Sequence, residues 1–182
     1  MTKIIAIANQ KGGVGKTTTS VNLAASLAVA ERRTLLVDCD PQGNATSGLG
    51  LQRDQIQKDL YQLLINETQT SETVCNTGLK YLHLIPATSE LIGAEVELQQ
   101  LQGREKILGQ GLKSVVSMYD YIIMDCPPSL GLLTVNALTA AKTVVIPLQC
   151  EYYAMEGLAR LLETKELVRV WLSWLQDWGR RT

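Results

Sequence analysis

Near the start of the chain, Gln10-Lys11-Gly12-Gly13-Val14-Gly15-Lys16-Thr17-Thr18 combines the residue types and spacing that phosphate chemistry needs. Successive backbone N–H groups of a glycine-rich turn converge on an anion, and a helix starting directly after it adds the positive end of its dipole. Glycine at 12, 13 and 15 lets the backbone approach without a Cβ in the way. Lys16 would hold the β- and γ-phosphate oxygens of a nucleotide, and Thr17 would ligate Mg²⁺. Lys11, Gly12, Gly13, Val14, Gly15, Lys16, Thr17 and Thr18 form the candidate nucleotide-binding set. The spacing departs from G-x-x-x-x-G-K-[ST] at one place, because Gln10 stands where the first glycine should be and Lys11 follows it.

Acidic residues at the ends of two apolar runs complete the chemistry. Thr34-Leu35-Leu36-Val37-Asp38 leads into Cys39-Asp40-Pro41-Gln42-Gly43-Asn44-Ala45-Thr46, and Tyr121-Ile122-Ile123-Met124-Asp125 leads into Cys126-Pro127-Pro128-Ser129-Leu130-Gly131. An almost wholly apolar run ending in an acid is the signature of a buried parallel strand whose carboxyl end faces a site. Asp125 should hold Mg²⁺ through water. Of the pair Asp38 and Asp40, one can orient a strand end or the Mg²⁺ water shell while the other faces the γ-phosphate. The alternative is that Asp40 only caps a turn before Pro41. Two consecutive prolines fix the second loop and remove its donors.

These residues must be carried by strands and helices in alternation. The apolar run Ile4 to Ala8 predicts a strand before the glycine loop. Val21, Leu23, Ala24, Leu27 and Ala28 predict a helix from Thr18, broken at Arg32-Arg33. Further along, Leu60, Leu63 and Leu64 predict a short helix, and Glu67 to Gly78 reads as loop. A strand spans Lys80 to Ile85, and a helix capped by Ser89 carries Ala94, Val96, Leu98 and Leu101. The helical pattern resumes from Arg104 to Val116 and from Thr134 to Ala141; a strand from Thr143 to Pro147 and a helix from Met155 follow. The alternation predicts a three-layer α/β fold of the P-loop NTPase type with a mostly parallel sheet.

Composition sets the outer limits. At 182 residues with 46% hydrophobic side chains and a net charge of −1, the chain can build one domain with a substantial core and exerts no global attraction on nucleic acid. DNA binding would need a local basic patch. No apolar run reaches the length of a membrane span and no secretory signal precedes the first strand, so a soluble, cytoplasmic protein is expected. Cys39, Cys75, Cys126 and Cys150 lack C-x-x-C spacing and read as buried apolar residues. The one histidine, His83, reads as an ordinary strand residue.

Taken in order, Lys-Gly-Gly-Val-Gly-Lys-Thr-Thr, Asp-Cys-Asp-Pro-Gln-Gly-Asn-Ala-Thr, Asp-Cys-Pro-Pro-Ser-Leu-Gly and Gln-Cys-Glu-Tyr-Tyr resemble the motifs of the ParA/Soj family of chromosome-partitioning ATPases, in the deviant Walker A class shared with MinD. The likeness covers about residues 1 to 165. It implies ATP and Mg²⁺ as ligands, a homodimer formed on ATP binding, nonspecific DNA on the nucleoid, and a ParB-type partner that stimulates hydrolysis. It also implies catalytic roles for Lys11, Lys16 and Asp40: Lys11 reaches the nucleotide of the partner protomer and Asp40 positions the attacking water.

From about Lys165 the sequence leaves the family pattern. Residues 1–165 are read as the ATPase domain, incomplete at its C-terminal end, and 166–182 as a divergent tail holding all three tryptophans. Leu167, Val168, Val170, Trp171, Leu172, Trp174, Leu175 and Trp178 share one helical side, so the tail is amphipathic. Two alternatives stand beside the ATPase reading. One is a noncatalytic shortened paralogue or truncated product that binds partners without hydrolysis. The other is a MinD-like membrane-associated ATPase, against which the thin basic face of the tail argues. The family's DNA-binding arginines are expected to be missing.

Overall fold

The structure, a computed structural model, describes residues 1–148. The segment 149–153, Cys150, the helix from Met155 and the tail 166–182 lie outside the described residues.

The chain builds β1 (Lys3–Ile7), α1 (Lys16–Val29), β2 (Thr34–Asp38), α2 (Asn44–Gly48), α3 (Leu60–Leu64), α4 (Thr70–Thr73), β3 (Cys75–Asn76), β4 (Leu82–Ile85), α5 (Leu91–Leu98), α6 (Ile107–Leu112), β5 (Tyr121–Asp125), α7 (Leu132–Ala140) and β6 (Thr143–Val145). Among the described residues six strands form one sheet in the order β3-β4-β2-β5-β1-β6. All pairings are parallel except β3 on β4.

Burial on both faces explains why the central strands are apolar at every position rather than at alternate ones. Leu35, Val37, Ile122 and Met124 point into one core with Leu60, Leu64, Leu91, Leu98, Leu112 and Ala137. Their neighbours Leu36 and Ile123 point the other way, onto Ala24, Ala28 and Ala45. The result is the expected three-layer α/β arrangement. On α1 the fully inward positions are Lys16, Ser20, Ala24 and Ala28, four residues apart, and three of these four side chains are small. The helix therefore lies close to the sheet and begins directly against the strand ends.

Local expectations were corrected at several places. Helix α1 starts at Lys16, not Thr18, because Gly15 in the left-handed region supplies the turn into it. The segment 67–78 is not all loop: it holds α4 and the antiparallel edge strand β3, each too short to leave a periodic trace. Ser89 does not cap α5, whose first turn takes backbone bonds from Leu91 to Thr88 and from Ile92 to Ser89. Capping chemistry instead serves α3, where Asp59 accepts from the Tyr61 N–H and from the Thr88 hydroxyl. His83 bonds the Tyr119 hydroxyl at 2.9 Å, a structural contact. Among the described residues no helix is long and apolar enough to cross a membrane.

Asp38 ends β2 facing inward, wholly buried, and anchors the loop that follows. Its Oδ2 accepts from the Thr46 N–H at 2.8 Å and the Thr46 hydroxyl at 2.7 Å, and its Oδ1 accepts from the Asp40 N–H at 3.1 Å. Thr46 in turn accepts from the Ala87 N–H at 3.0 Å, tying the loop to the end of β4. Gly43 closes the same turn at φ 63°, and a Cβ there would lie 2.9 Å from the Ala87 carbonyl oxygen. Gly43→Ala should therefore lower stability by at least about 1 kcal/mol, read from the midpoint of denaturant unfolding; an unchanged midpoint would show the loop to be slack.

Burial pushes the Asp38 carboxyl up from 3.8 to about 7, against the Thr46 and Asp40 bonds that favour its charged form. Between those values the folded state keeps a proton that the unfolded chain has lost, so this group's contribution to stability falls as pH rises and levels off above about 7. The stability difference between the wild type and Asp38→Asn should decline across that window. A difference that stays flat with pH would contradict the assigned burial of charge.

Candidate nucleotide site

Strand order creates the site. Because β5 is inserted between β1 and β2, Ile7, Asp125 and Asp38 are register partners at the carboxyl ends of three adjacent strands. The loop from β1 to α1 and the loop after β2 then flank the end of β5.

The first loop is held by groups on either side of it. Asn9 is buried; its side-chain oxygen accepts from the Lys11 N–H at 3.0 Å and its Nδ2 donates to the Pro147 carbonyl at 2.8 Å. Gly15, at φ 86°, turns the chain into α1 in a conformation that a side chain would strain. Cβ atoms placed at Gly12, Gly13 or Gly15 would meet nothing within 4 Å, so the inner wall of this loop is bare backbone facing open space. That space is a cleft of about 380 Å³ lined by Gly12, Gly15, Lys16, Thr17, Asp40 and Pro128, among others. Of the predicted site residues, Gly12, Gly13, Gly15, Lys16, Thr17, Thr18 and Asp40 thus line one cavity, while Lys11, Val14 and Asp125 are not part of its lining.

Lys16 is buried, and its ammonium donates to the Lys11 carbonyl at 3.1 Å. Desolvation lowers its pKa, while Asp125, Asp40 and Cys126 act in the other direction. Asp125 is fully buried as well. Its Oδ1 accepts from the Ser20 hydroxyl at 2.7 Å, and its Oδ2 has no hydrogen-bond partner among the described residues. Burial raises its pKa, with Ser20, Thr17 and Lys16 opposing the rise. A buried carboxylate oxygen left bare beside the Thr17 hydroxyl and a phosphate-sized cleft suits a hydrated cation. No group of three or more His, Cys, Asp or Glu able to hold a metal occurs among the described residues, so such a cation would need oxygen ligands from elsewhere, as Mg²⁺ takes from phosphates and water.

Asp40 reaches the cleft from the opposite side to Lys16's own loop. Its Oδ1 accepts from the Gln42 N–H at 2.9 Å, and its carbonyl accepts from Gly43, so the turn-capping role exists alongside the cleft-lining one. Asp38 and Asp40 divide the work by direction: the first is consumed in anchoring, the second lines the site. Cys39 and Cys126 are both buried, and burial raises both thiols, which makes them apolar filling. Sequence reading missed Asn9, Ser20 and Thr46. Asn9 alone had a visible signal, a polar residue two before Lys11 at the exit of a strand.

The sequence matches the family described as an AAA domain over residues 2–173. It is 60% identical over 171 residues to the chromosome partitioning protein ParA of Myxococcus xanthus and 57% identical over 173 residues to the sporulation initiation inhibitor protein Soj of Bacillus subtilis. These alignments take in 94% and 95% of this chain but 60% and 68% of those proteins. Among solved structures, cobyrinic acid a,c-diamide synthase of Mycobacterium smegmatis with bound ADP and magnesium is similar at a TM-score of 0.89 and 43% identity, over 93% of this chain and 69% of that one. A plasmid partition protein of Borrelia burgdorferi bound to AMPPNP is similar at a TM-score of 0.82 and 31% identity, over 93% and 70%. The ordered motifs, the sheet that brings them to one cleft and these likenesses agree: this chain belongs to the ParA/Soj family of P-loop ATPases.

Proposed function

We propose that this chain binds ATP with Mg²⁺, hydrolyses it, and uses the ATP state to dimerise in DNA partitioning with a ParB-type partner. The observation that carries the reading is a cleft lined by the bare glycine loop, Lys16, Thr17 and Asp40, with the unmatched oxygen of buried Asp125 close to Lys16 and Thr17. Support comes from relatives named for chromosome partitioning and from similar structures described with ADP or an ATP analogue.

The assignment of parts follows from charge and position. Backbone N–H groups of Gly12 to Thr18 bind the phosphates, and Lys16 gives up its bond to the Lys11 carbonyl to hold β- and γ-phosphate oxygens. Thr17 directly, and Asp125 through water, would hold Mg²⁺, which would supply neutralisation of the charge that builds on the phosphate oxygens. Asp40, fixed by the Gln42 N–H, orients the attacking water in line with the γ-phosphorus. Lys11 neutralises the nucleotide of the partner protomer, which makes dimerisation a condition of turnover. Ser20 keeps one Asp125 oxygen engaged so that the other faces the ligand.

Two substitutions separate binding from hydrolysis. Lys16→Ala should weaken ATP binding in calorimetry by about tenfold or more, since it removes charge-assisted bonds worth about 1.5–3 kcal/mol. Asp40→Ala should bind ATP nearly as the wild type does while phosphate release falls by about a hundredfold or more. Undiminished release from Asp40→Ala would remove it from the reaction, and unchanged affinity in Lys16→Ala would refute the site.

A further inference from the structure

Strands β1 and β6 are parallel neighbours whose last residues, Ile7 and Val145, are register partners, so Asn9 and Pro147 stand at matching places beyond the two strand ends. The Ala8 N–H still meets the Val145 carbonyl at 3.1 Å. One step further a side chain continues the pairing, as the Asn9 Nδ2 donates to the Pro147 carbonyl at 2.8 Å. Proline has no N–H to return, so this bond runs one way.

The other end of the same amide faces the glycine loop, where the Asn9 Oδ1 accepts from the Lys11 N–H at 3.0 Å. The two partners fix the orientation of the amide, because an N–H on one side calls for oxygen and a carbonyl on the other calls for nitrogen. Asn9 is 4% exposed, and a buried amide is costly to leave unpaired. Lys11 is thereby held on both of its peptide groups, its N–H by Asn9 and its carbonyl by the Lys16 ammonium at 3.1 Å. Peptide groups are planar, so fixing the two that flank a Cα fixes the direction in which its side chain leaves. Lys11 is not among the residues lining its own cleft, although Gly12, Gly13 and Lys16 are.

We propose that Asn9 is a positioning residue for turnover: by holding the Lys11 N–H against the end of β6, it sets the line along which the Lys11 side chain leaves its own cleft for the nucleotide of a second protomer. The inference rests on the ATPase reading and on the role given there to Lys11. When Lys16 turns to the phosphates its bond to the Lys11 carbonyl ends, and Asn9 keeps its hold on the N–H. The phosphate ligands assigned above, Lys16 and the amides from Gly12 to Thr18, are not bonded to Asn9, so its loss should appear in the rate and not in ATP affinity. Aspartate in its place would lack the donor for Pro147. Serine, one atom shorter, can take the Lys11 N–H as a local turn but does not span both partners.

The test uses Asn9→Ala, Asn9→Ser, Lys11→Gln and the double variant Asn9→Ala/Lys11→Gln in the full chain. Three quantities are read: exchange of the Lys11 amide by NMR, ATP affinity by calorimetry, and single-turnover phosphate release. Asn9→Ala should speed Lys11 amide exchange by about tenfold or more, and Asn9→Ser should recover part of the protection. Phosphate release should fall about tenfold in Asn9→Ala, as one lost hydrogen bond allows, while ATP affinity stays within about threefold. Because Asn9 acts through Lys11, adding Asn9→Ala to Lys11→Gln should change the rate by less than about twofold. A residue that merely supported the loop would lower ATP affinity, and its effect would multiply with that of Lys11→Gln; either result would overturn the proposal. Should Asn9→Ala fail to fold, or Lys11→Gln release no measurable phosphate, Asn9→Ser decides: amide protection and turnover must recover together, and protection without turnover would overturn it. A wild type that binds no ATP would count against the ATPase reading, whereas unchanged Lys11 exchange in Asn9→Ala would overturn the positioning role whether or not ATP is bound.

Discussion

Asp125 is the group on which the site depends. It sits at the end of a fully covered strand, where burying a carboxylate is costly unless donors or a cation meet it. Ser20 meets one oxygen at 2.7 Å, and the other has no partner at hydrogen-bond distance among the described residues, with the Thr17 hydroxyl near the carboxylate. The molecule tolerates this only because Lys16 and Thr17 are held close by the first turn of α1, which itself lies tight on the sheet through Ser20, Ala24 and Ala28. A helix with bulky residues on that face would stand off the strands and separate the lysine from the acid. Phosphate loop and metal-side carboxylate are thus two parts of one packing arrangement.

The loop after β2 is placed by a different device. Asp38 turns inward and gives its oxygens to Thr46 and Asp40 backbone and side-chain donors, and Thr46 passes the restraint on to Ala87. Asp40 gains a defined place at the cleft because its neighbour two residues back is fixed. The same logic applies at Asn9, which clamps the glycine loop to the segment beyond β6. In each case a short polar side chain takes up backbone groups that the end of a strand leaves unmatched.

The sheet is polarised along its strands. Carboxylates and glycine amides gather where the parallel strands end, and lysines and arginines where they begin. Parallel strands make this division possible, because every start lies on one edge and every end on the other, whereas antiparallel strands would interleave them. A single layer can then carry a cleft of about 380 Å³ at one end and a line of cations at the other.

The sequence alone determined the phosphate loop, the two acid-ended strands and the alternation of strands with helices. Each of these is written in local residue order: glycines beside a lysine, four largely apolar residues before an aspartate, apolar positions repeating at helical spacing. The family was legible for the same reason, since four short motifs in order are a local signal. Only the tertiary structure decided that β5 lies between β1 and β2, that Asp38 is spent on anchoring while Asp40 lines the cleft, and that Asn9, Ser20 and Thr46 hold the site. It also decided that Lys3, Arg32, Lys80 and Lys142, far apart in sequence, share one edge. Strand order and side-chain partnership arise from pairing between distant segments, and such pairing leaves no periodic mark on the segments themselves.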